Sequence, residues 1–146
     1  MKVGSRADYG LRAVVYLASL PDKDEPQQIS AIAQRQQIPE DYLRQLLTQL
    51  RTAGIVRSVR GPHGGYMLAR DPTQITMGEV VEVLEGPPER MRCNHLDCGD
   101  PRCALLGGCE IRARWGIAVQ AMTEVLHRTT LGDLVHRAML PADPHE

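Results

Sequence analysis

The sequence predicts a mainly α-helical chain of small aliphatic helices carrying a single β-hairpin. Three observations support this. Leu, Ile, Val and Ala recur at three- and four-residue steps in several separate stretches. One pair of short β-branched or aliphatic runs flanks a Gly-rich turn. Only five aromatics, Trp115 and four Tyr, occur in 146 residues, so a core drawn from the 42% apolar residues must be largely aliphatic. The length suits one ordinary domain, or one domain with an appendage.

The first helix is expected to begin near Ser5, with Leu11, Val14, Val15 and Ala18 as its buried stripe. The run Pro21 to Pro26 ends it as a polar turn. Ser30 is a candidate cap for a short helix that turns Ile32 and Ala33 inward. Pro39 suits a helix opening, where its missing N–H leaves no partner unsatisfied. The apolar face that follows is Tyr42, Leu43, Leu46, Leu47 and Leu50, and Gly54 stands where that helix should stop.

Ile55 to Arg60 then reads as a strand, Gly61-Pro62-His63-Gly64-Gly65 as a turn, and Tyr66 to Ala69 as the returning strand. Helix, turn, helix and a basic hairpin, in that order, describe a winged helix-turn-helix. Asp71-Pro72 breaks the chain, and Thr76-Met77-Gly78-Glu79 has the pattern of a capping box before Val80, Val81 and Leu84. Residues 87–110 carry no period and read as a long loop, the kind that usually has a function. The clearest helix follows, with Ile111, Trp115, Ala118, Val119, Met122, Val125 and Leu126 on one stripe. It runs for about 18 residues, or about 27 Å, and a partner is expected to cover that stripe. A last short helix is expected from Thr130-Leu131-Gly132-Asp133 through Leu134, Val135 and Met139, before a Pro-containing tail. Three units result: a winged helix-turn-helix DNA-binding domain over 1–72, a short helix and cysteine-rich loop over 73–110, and a long C-terminal dimerisation helix with a terminal helix over 111–140.

Net charge is −1, yet its distribution is uneven. Residues 1–70 carry +4 and residues 71–146 carry −5. Between 31 and 70, Arg35, Arg44, Arg51, Arg57, Arg60 and Arg70 face only Glu40 and Asp41. A basic segment in a near-neutral chain suggests one face that meets phosphate. On the expected recognition helix the outward residues are Glu40, Asp41, Arg44, Gln45, Thr48 and Gln49. Arg44 has the geometry to hold guanine through two hydrogen bonds, and Gln45 to do so for adenine. Arg60, beside the Gly-rich tip, is placed for a minor groove, while Arg57 and His63 suit phosphate.

Cys93, Cys98, Cys103 and Cys109 all fall in one 17-residue stretch. A disulfide framework would spread them out. Four thiolates in a Gly-containing loop have the chemistry to converge on a soft metal or cluster. Their gaps are wider than the usual zinc knuckle, which favours an iron–sulfur cluster, with zinc and a thiol switch as the alternatives. His95, Asp97 and Asp100 are further possible ligands in the same loop.

The run Arg57 to Tyr66, the start Ser5-Arg6-Ala7-Asp8-Tyr9-Gly10-Leu11-Arg12-Ala13, and the cysteine loop followed by Trp115 resemble a known family. They are similar to the winged-helix iron–sulfur transcription regulators typified by IscR and NsrR, over about residues 1–140. The resemblance implies a homodimer that binds a double-stranded DNA operator, its long helix crossing its mate. It also implies an iron–sulfur cluster, 2Fe-2S or 4Fe-4S, in each subunit's loop. Cys93 and Cys109 match the family's first and last cysteines, whereas Cys98 and Cys103 stand where one is usual. The histidine that IscR-like members place three residues after the last cysteine is replaced by Arg112. Asp8 lies where NsrR-like members supply a carboxylate ligand from the other subunit.

No window approaches the ~18 uninterrupted apolar residues of a membrane span. The charged start, with Lys2, Arg6 and Asp8, is unlike a signal peptide, so a cytoplasmic protein without a membrane partner is expected. No Ser-His-Asp or paired-carboxylate arrangement is recognisable, so enzyme activity is not expected. A small iron–sulfur electron carrier would use the same cysteines but leave the arginines of the hairpin without a role.

Overall fold

Leu43, Leu46, Leu47 and Leu50 lie on one side of one helix and are fully buried, in one cluster with apolar residues from along the chain, Ala13 to Leu131. A computed structural model describes residues 4–88 and 110–138. In chain order its elements are α1 (Ser5–Ser19), α2 (Ile29–Gln36), α3 (Glu40–Thr52), β1 (Val56–Val59), β2 (Gly65–Leu68), a 3₁₀ turn (Pro72–Gln74), α4 (Met77–Glu85), α5 (Glu110–Arg128) and α6 (Leu131–Ala138). The expected class is found: mainly α, with a winged helix-turn-helix and a two-stranded antiparallel wing.

α1 runs through the middle of this arrangement and packs against α2, α3, α4 and α6. Its buried side is Ala7, Gly10, Ala13, Val14, Leu17 and Ala18, all small or aliphatic. Leu11 and Val15, expected in the core, are only half-buried at its edge. Gly10 lets α4 approach, because a Cβ at that position would collide with the Leu84 side chain. Val80 and Leu84 of α4, Ile75 before it and Leu131 of α6 join the same buried cluster as the leucines of α3.

The helix ends differ in part from expectation. α2 begins at Ile29 with Gln28 as its unassisted N-cap, so Ser30 lies inside the first turn and caps nothing. The residue before Gln28 explains this: Gln27 exchanges two backbone hydrogen bonds with Tyr66, at 2.9 and 2.8 Å, and the helix starts as soon as that bridge ends. Pro39 is the N-cap of α3 rather than its first residue, and its carbonyl accepts from the Leu43 amide at 2.9 Å. Thr76 and Glu79 form the expected capping box, with the Glu79 amide donating to the Thr76 hydroxyl at 3.1 Å and the Thr76 amide to the Glu79 carboxylate at 2.9 Å. Thr130 and Asp133 repeat the device at α6, at 3.1 and 2.9 Å.

α5 packs on α4 through half-buried Val119, Met122 and Leu126, while Trp115, Ile117 and Val125 are 45%, 59% and 64% exposed. The end of α5 is tied to the start of α4 by a bridge between Thr76 and Thr130, with Met77 N to Thr129 O at 2.8 Å and Leu131 N to Ile75 O at 2.9 Å. His127 sits over Gly78 and meets Glu82 at 3.0 Å.

Burial alone would raise the pKa of Glu79. The Thr76 amide and the Arg70 guanidinium, 2.9 Å away, outweigh it and hold the carboxyl below its ordinary value. Such a group stabilises the fold above its unfolded pKa, and that contribution is lost as pH falls through the lowered, folded value. Glu79→Gln is therefore expected to flatten the acid limb of a urea-derived stability profile relative to the parent. Thr76→Ala should cost about 1 kcal/mol at neutral pH in the same measurement, as a lost N-cap does.

Candidate nucleic-acid interface

Burying one side of α3 fixes what its other side offers. With four leucines in the core, Asp41, Arg44, Gln45 and Thr48 are all exposed. Glu40 accepts from Arg44 Nη2 at 2.9 Å, one turn along, an exposed pair that leaves the rest of the guanidinium free for other acceptors. The Thr48 hydroxyl donates to the Arg44 carbonyl at 2.8 Å. Gln45 makes no side-chain hydrogen bond among the described residues.

The wing follows directly. Val56 faces Leu68 across the hairpin, both buried, which anchors its base to the core. Arg57 and Ser58 on β1, and Arg60 and His63 in the turn, are exposed. Arg51, in the last turn of α3, donates to the Ser58 hydroxyl at 3.3 Å and joins helix to wing. Gly65 is required at its position: it holds φ at 154°, and a side chain there would collide with the Gln27 carbonyl that bridges to Tyr66. Thus the strand-like Gln27, without a signal of its own in the sequence, fixes the wing against the start of α2. The wing residues carry no salt bridge among the described residues, so Arg57 and Arg60 keep their charge unpaired within that set. What this arrangement offers is a polar helix face with two guanidinium groups, Arg44 and the wing-bonded Arg51, beside a hairpin with two more.

Asp8 stands in the first turn of α1, 55% exposed at its side chain and 3.6 Å from Arg12. Arg12 also donates to the Gln36 carbonyl and lies 5.7 Å from the centroid of Tyr9, which meets Tyr42 edge-on at 5.8 Å. Among the described residues the carboxylate is accessible and is held only by that exposed pair. Cys93, Cys98, Cys103 and Cys109 lie outside the described residues. Among the described residues no three His, Cys, Asp or Glu side chains gather into a metal site, and no helix is long and apolar enough to cross a membrane.

A family model for Rrf2, described as an iron-dependent transcriptional regulator, matches residues 3–137. Protein rrf2 of Nitratidesulfovibrio vulgaris strain Hildenborough is 39% identical over 140 residues, covering 96% of this chain and 91% of its own. Among solved structures, that of CymR, the global cysteine regulator of Bacillus subtilis, is 36% identical with a TM-score of 0.76, covering 94% of this chain and 98% of its own. The structure of IscR from T. potens is 32% identical with a TM-score of 0.76, covering 98% and 94%. Wing, recognition helix and matches along nearly the whole chain agree: the protein belongs to the Rrf2 family of winged-helix transcription regulators.

Proposed function

We propose that the protein is a homodimeric transcription regulator whose hold on a double-stranded DNA operator is set by an iron–sulfur cluster borne on its cysteine segment. The observation that carries the DNA part is the exposed Arg44 and Arg51 on α3 beside Arg57 and Arg60 on the wing. In this reading Arg44, Gln45 and Thr48 face base edges in a major groove, Arg60 enters the adjacent minor groove, and Arg57 and His63 hold phosphate. The chain then divides as its sequence suggests: a DNA-binding unit over 1–72, a cluster-bearing stretch over 73–110, and helices over 111–140. The exposed Trp115, Ile117 and Val125 on α5 support its role as the surface that a second copy covers. No residue set for catalysis enters the proposal, and the protein is taken to act in the cytoplasm.

For the cluster, the donor set fits. Four thiols within 17 residues suit iron, and the family match carries an iron-dependent description. Cys93 and Cys109 are the outer ligands, Cys98 and Cys103 the candidates between them, and the exposed Asp8 of the partner subunit a candidate fourth donor. Bound there, the cluster supplies a centre whose charge and coordination respond to redox state, nitric oxide or iron–sulfur supply. The chain's own part is mechanical: the segment connects α4 to α5, and α4 packs against α1 and α3. A ligand shifts such an equilibrium only through its differential affinity for the two forms. The likeness to CymR, a cysteine regulator, supports a second reading in which the same thiols hold zinc or act as a switch without iron.

Anaerobic purification separates these readings. Visible charge-transfer absorbance and an iron Mössbauer signal, both lost in Cys→Ala variants at the ligating positions, are expected; a colourless protein with bound zinc would end the iron reading. Operator binding, measured with a duplex selected in vitro, should differ between iron-loaded and chelated protein at one salt concentration. On the DNA side, Arg57→Ala should weaken binding to all duplexes and lower the salt slope by about one, whereas Arg60→Ala should weaken most the duplexes whose minor groove at that point is narrow and A·T-rich. Arg44→Ala should instead cost ~1–3 kcal/mol of discrimination between selected and altered sequences.

A further inference from the structure

One side chain spans three elements. Arg6, in the first turn of α1 and half-buried, donates through Nε to the Leu84 carbonyl at 2.8 Å and through Nη2 to Gln49 Oε1 at 2.7 Å. The first bond satisfies a carbonyl in the last turn of α4, which has no partner within its own helix. The second fixes a residue of the recognition helix. The same junction is closed from the other direction: Glu85, the last residue of α4, accepts from the Ala7 amide at 2.9 Å. Charges and helix ends match, with the acid at the start of α1 and the base at the end of α4. Gly86, Pro87 and Pro88 then lead the chain out of α4 toward the cysteines.

The chemistry of Gln49 is thereby chosen. An arginine only donates, so the oxygen of the amide must face it. Gln49 sits one turn beyond Gln45, half-buried on the flank of the polar face of α3. With its oxygen turned toward Arg6, the amide directs its N–H groups away from that contact, toward a second partner. It is thus suited to an acceptor, such as a phosphate oxygen, guanine N7 or O6, or thymine O4, and unsuited to the donor-and-acceptor pair by which a glutamine reads adenine.

We infer that Arg6 is a positioning residue for DNA reading: it presents Gln49 as a donor and couples the recognition helix to the end of α4, where the chain enters the cysteine segment. The donor part rests only on DNA binding. The coupling part rests on the iron-controlled reading given above, since displacement of the last turn of α4 would pull on Leu84 O and, through one guanidinium, on Gln49.

The test is a double-mutant cycle on full-length protein. It reads the ratio of affinities for a duplex selected in vitro with the parent protein and for its scrambled counterpart, at one salt concentration. Arg6→Gln and Gln49→Leu are each expected to lower that ratio about 5- to 10-fold, and the double variant no further, as two groups acting as one unit require. Gln49→Glu keeps an acceptor for Arg6 but has no N–H; it should lose the ratio while the melting temperature stays at the parent's. Additive losses, or an unchanged ratio in Gln49→Glu, would overturn the positioning role. Should Arg6→Gln fail to fold, Gln49→Leu and Gln49→Glu decide it alone. In the coupling arm, the affinity difference between iron-loaded and chelated protein should shrink several-fold in Gln49→Leu while the visible spectrum is unchanged. A full difference retained there overturns the coupling. No difference in the parent protein overturns the iron-controlled reading, and the coupling with it, while the cycle still decides the donor role of Gln49.

Discussion

The fold depends on sinking one side of α3 into an aliphatic core. Leu43, Leu46, Leu47 and Leu50 leave no freedom to rotate the helix, because any turn about its axis would trade a buried leucine for Arg44 or Thr48. Burying four such side chains contributes roughly 1.5–3 kcal/mol each before entropy is counted, so the orientation is firmly held. The polar face is therefore a consequence of the packing. Everything that positions it further (the Arg51–Ser58 link, the base of the wing, the Arg6 bridge) adjusts a direction that the leucines have already chosen.

Electrostatics plays a secondary part in stability. Asp8–Arg12, Glu40–Arg44 and Glu110–Arg114 are exposed pairs one turn apart, each in the range where measured contributions are a few tenths of a kcal/mol. Their interest lies in what they hold in place. Glu40 keeps Arg44 near the start of α3, and Arg12 keeps Asp8 at the start of α1. In contrast, Arg70–Glu79 sits beside the capping box of α4, where one carboxylate serves a guanidinium, an amide and a hydroxyl together.

What could be read from the sequence was whatever repeats or caps locally. The leucine stripe of α3, the Thr76–Glu79 box and the Gly-rich wing all have short-range patterns, and each stands where the pattern indicates. The start of α2 did not, since the deciding bond joins Gln27 to Tyr66 across the fold and a single bridge leaves no periodicity. Leu11 and Val15 fit the helical stripe of α1 but lie at its margin, because packing against four other helices favours the smaller Ala7, Gly10 and Ala13. Among the site residues, the exposure of Arg44, Gln45, Thr48, Arg57, Arg60 and His63 follows from pattern alone. Arg6 was legible only as part of the run at the start, its two acceptors being 78 and 43 residues away.

Pinning Thr76 to Thr130 has a geometric consequence. From that knot α4 runs nine residues and α5 lies back along it for nineteen, so the longer helix outreaches the shorter by ten residues, about 15 Å. Pro87 and Pro88 reach the region of Trp115, and among the described residues α4 extends no further beneath the outer turns. The overhang is thus set by a difference in length, and lengthening α4 by one turn would sheathe one more turn of α5 within the same chain.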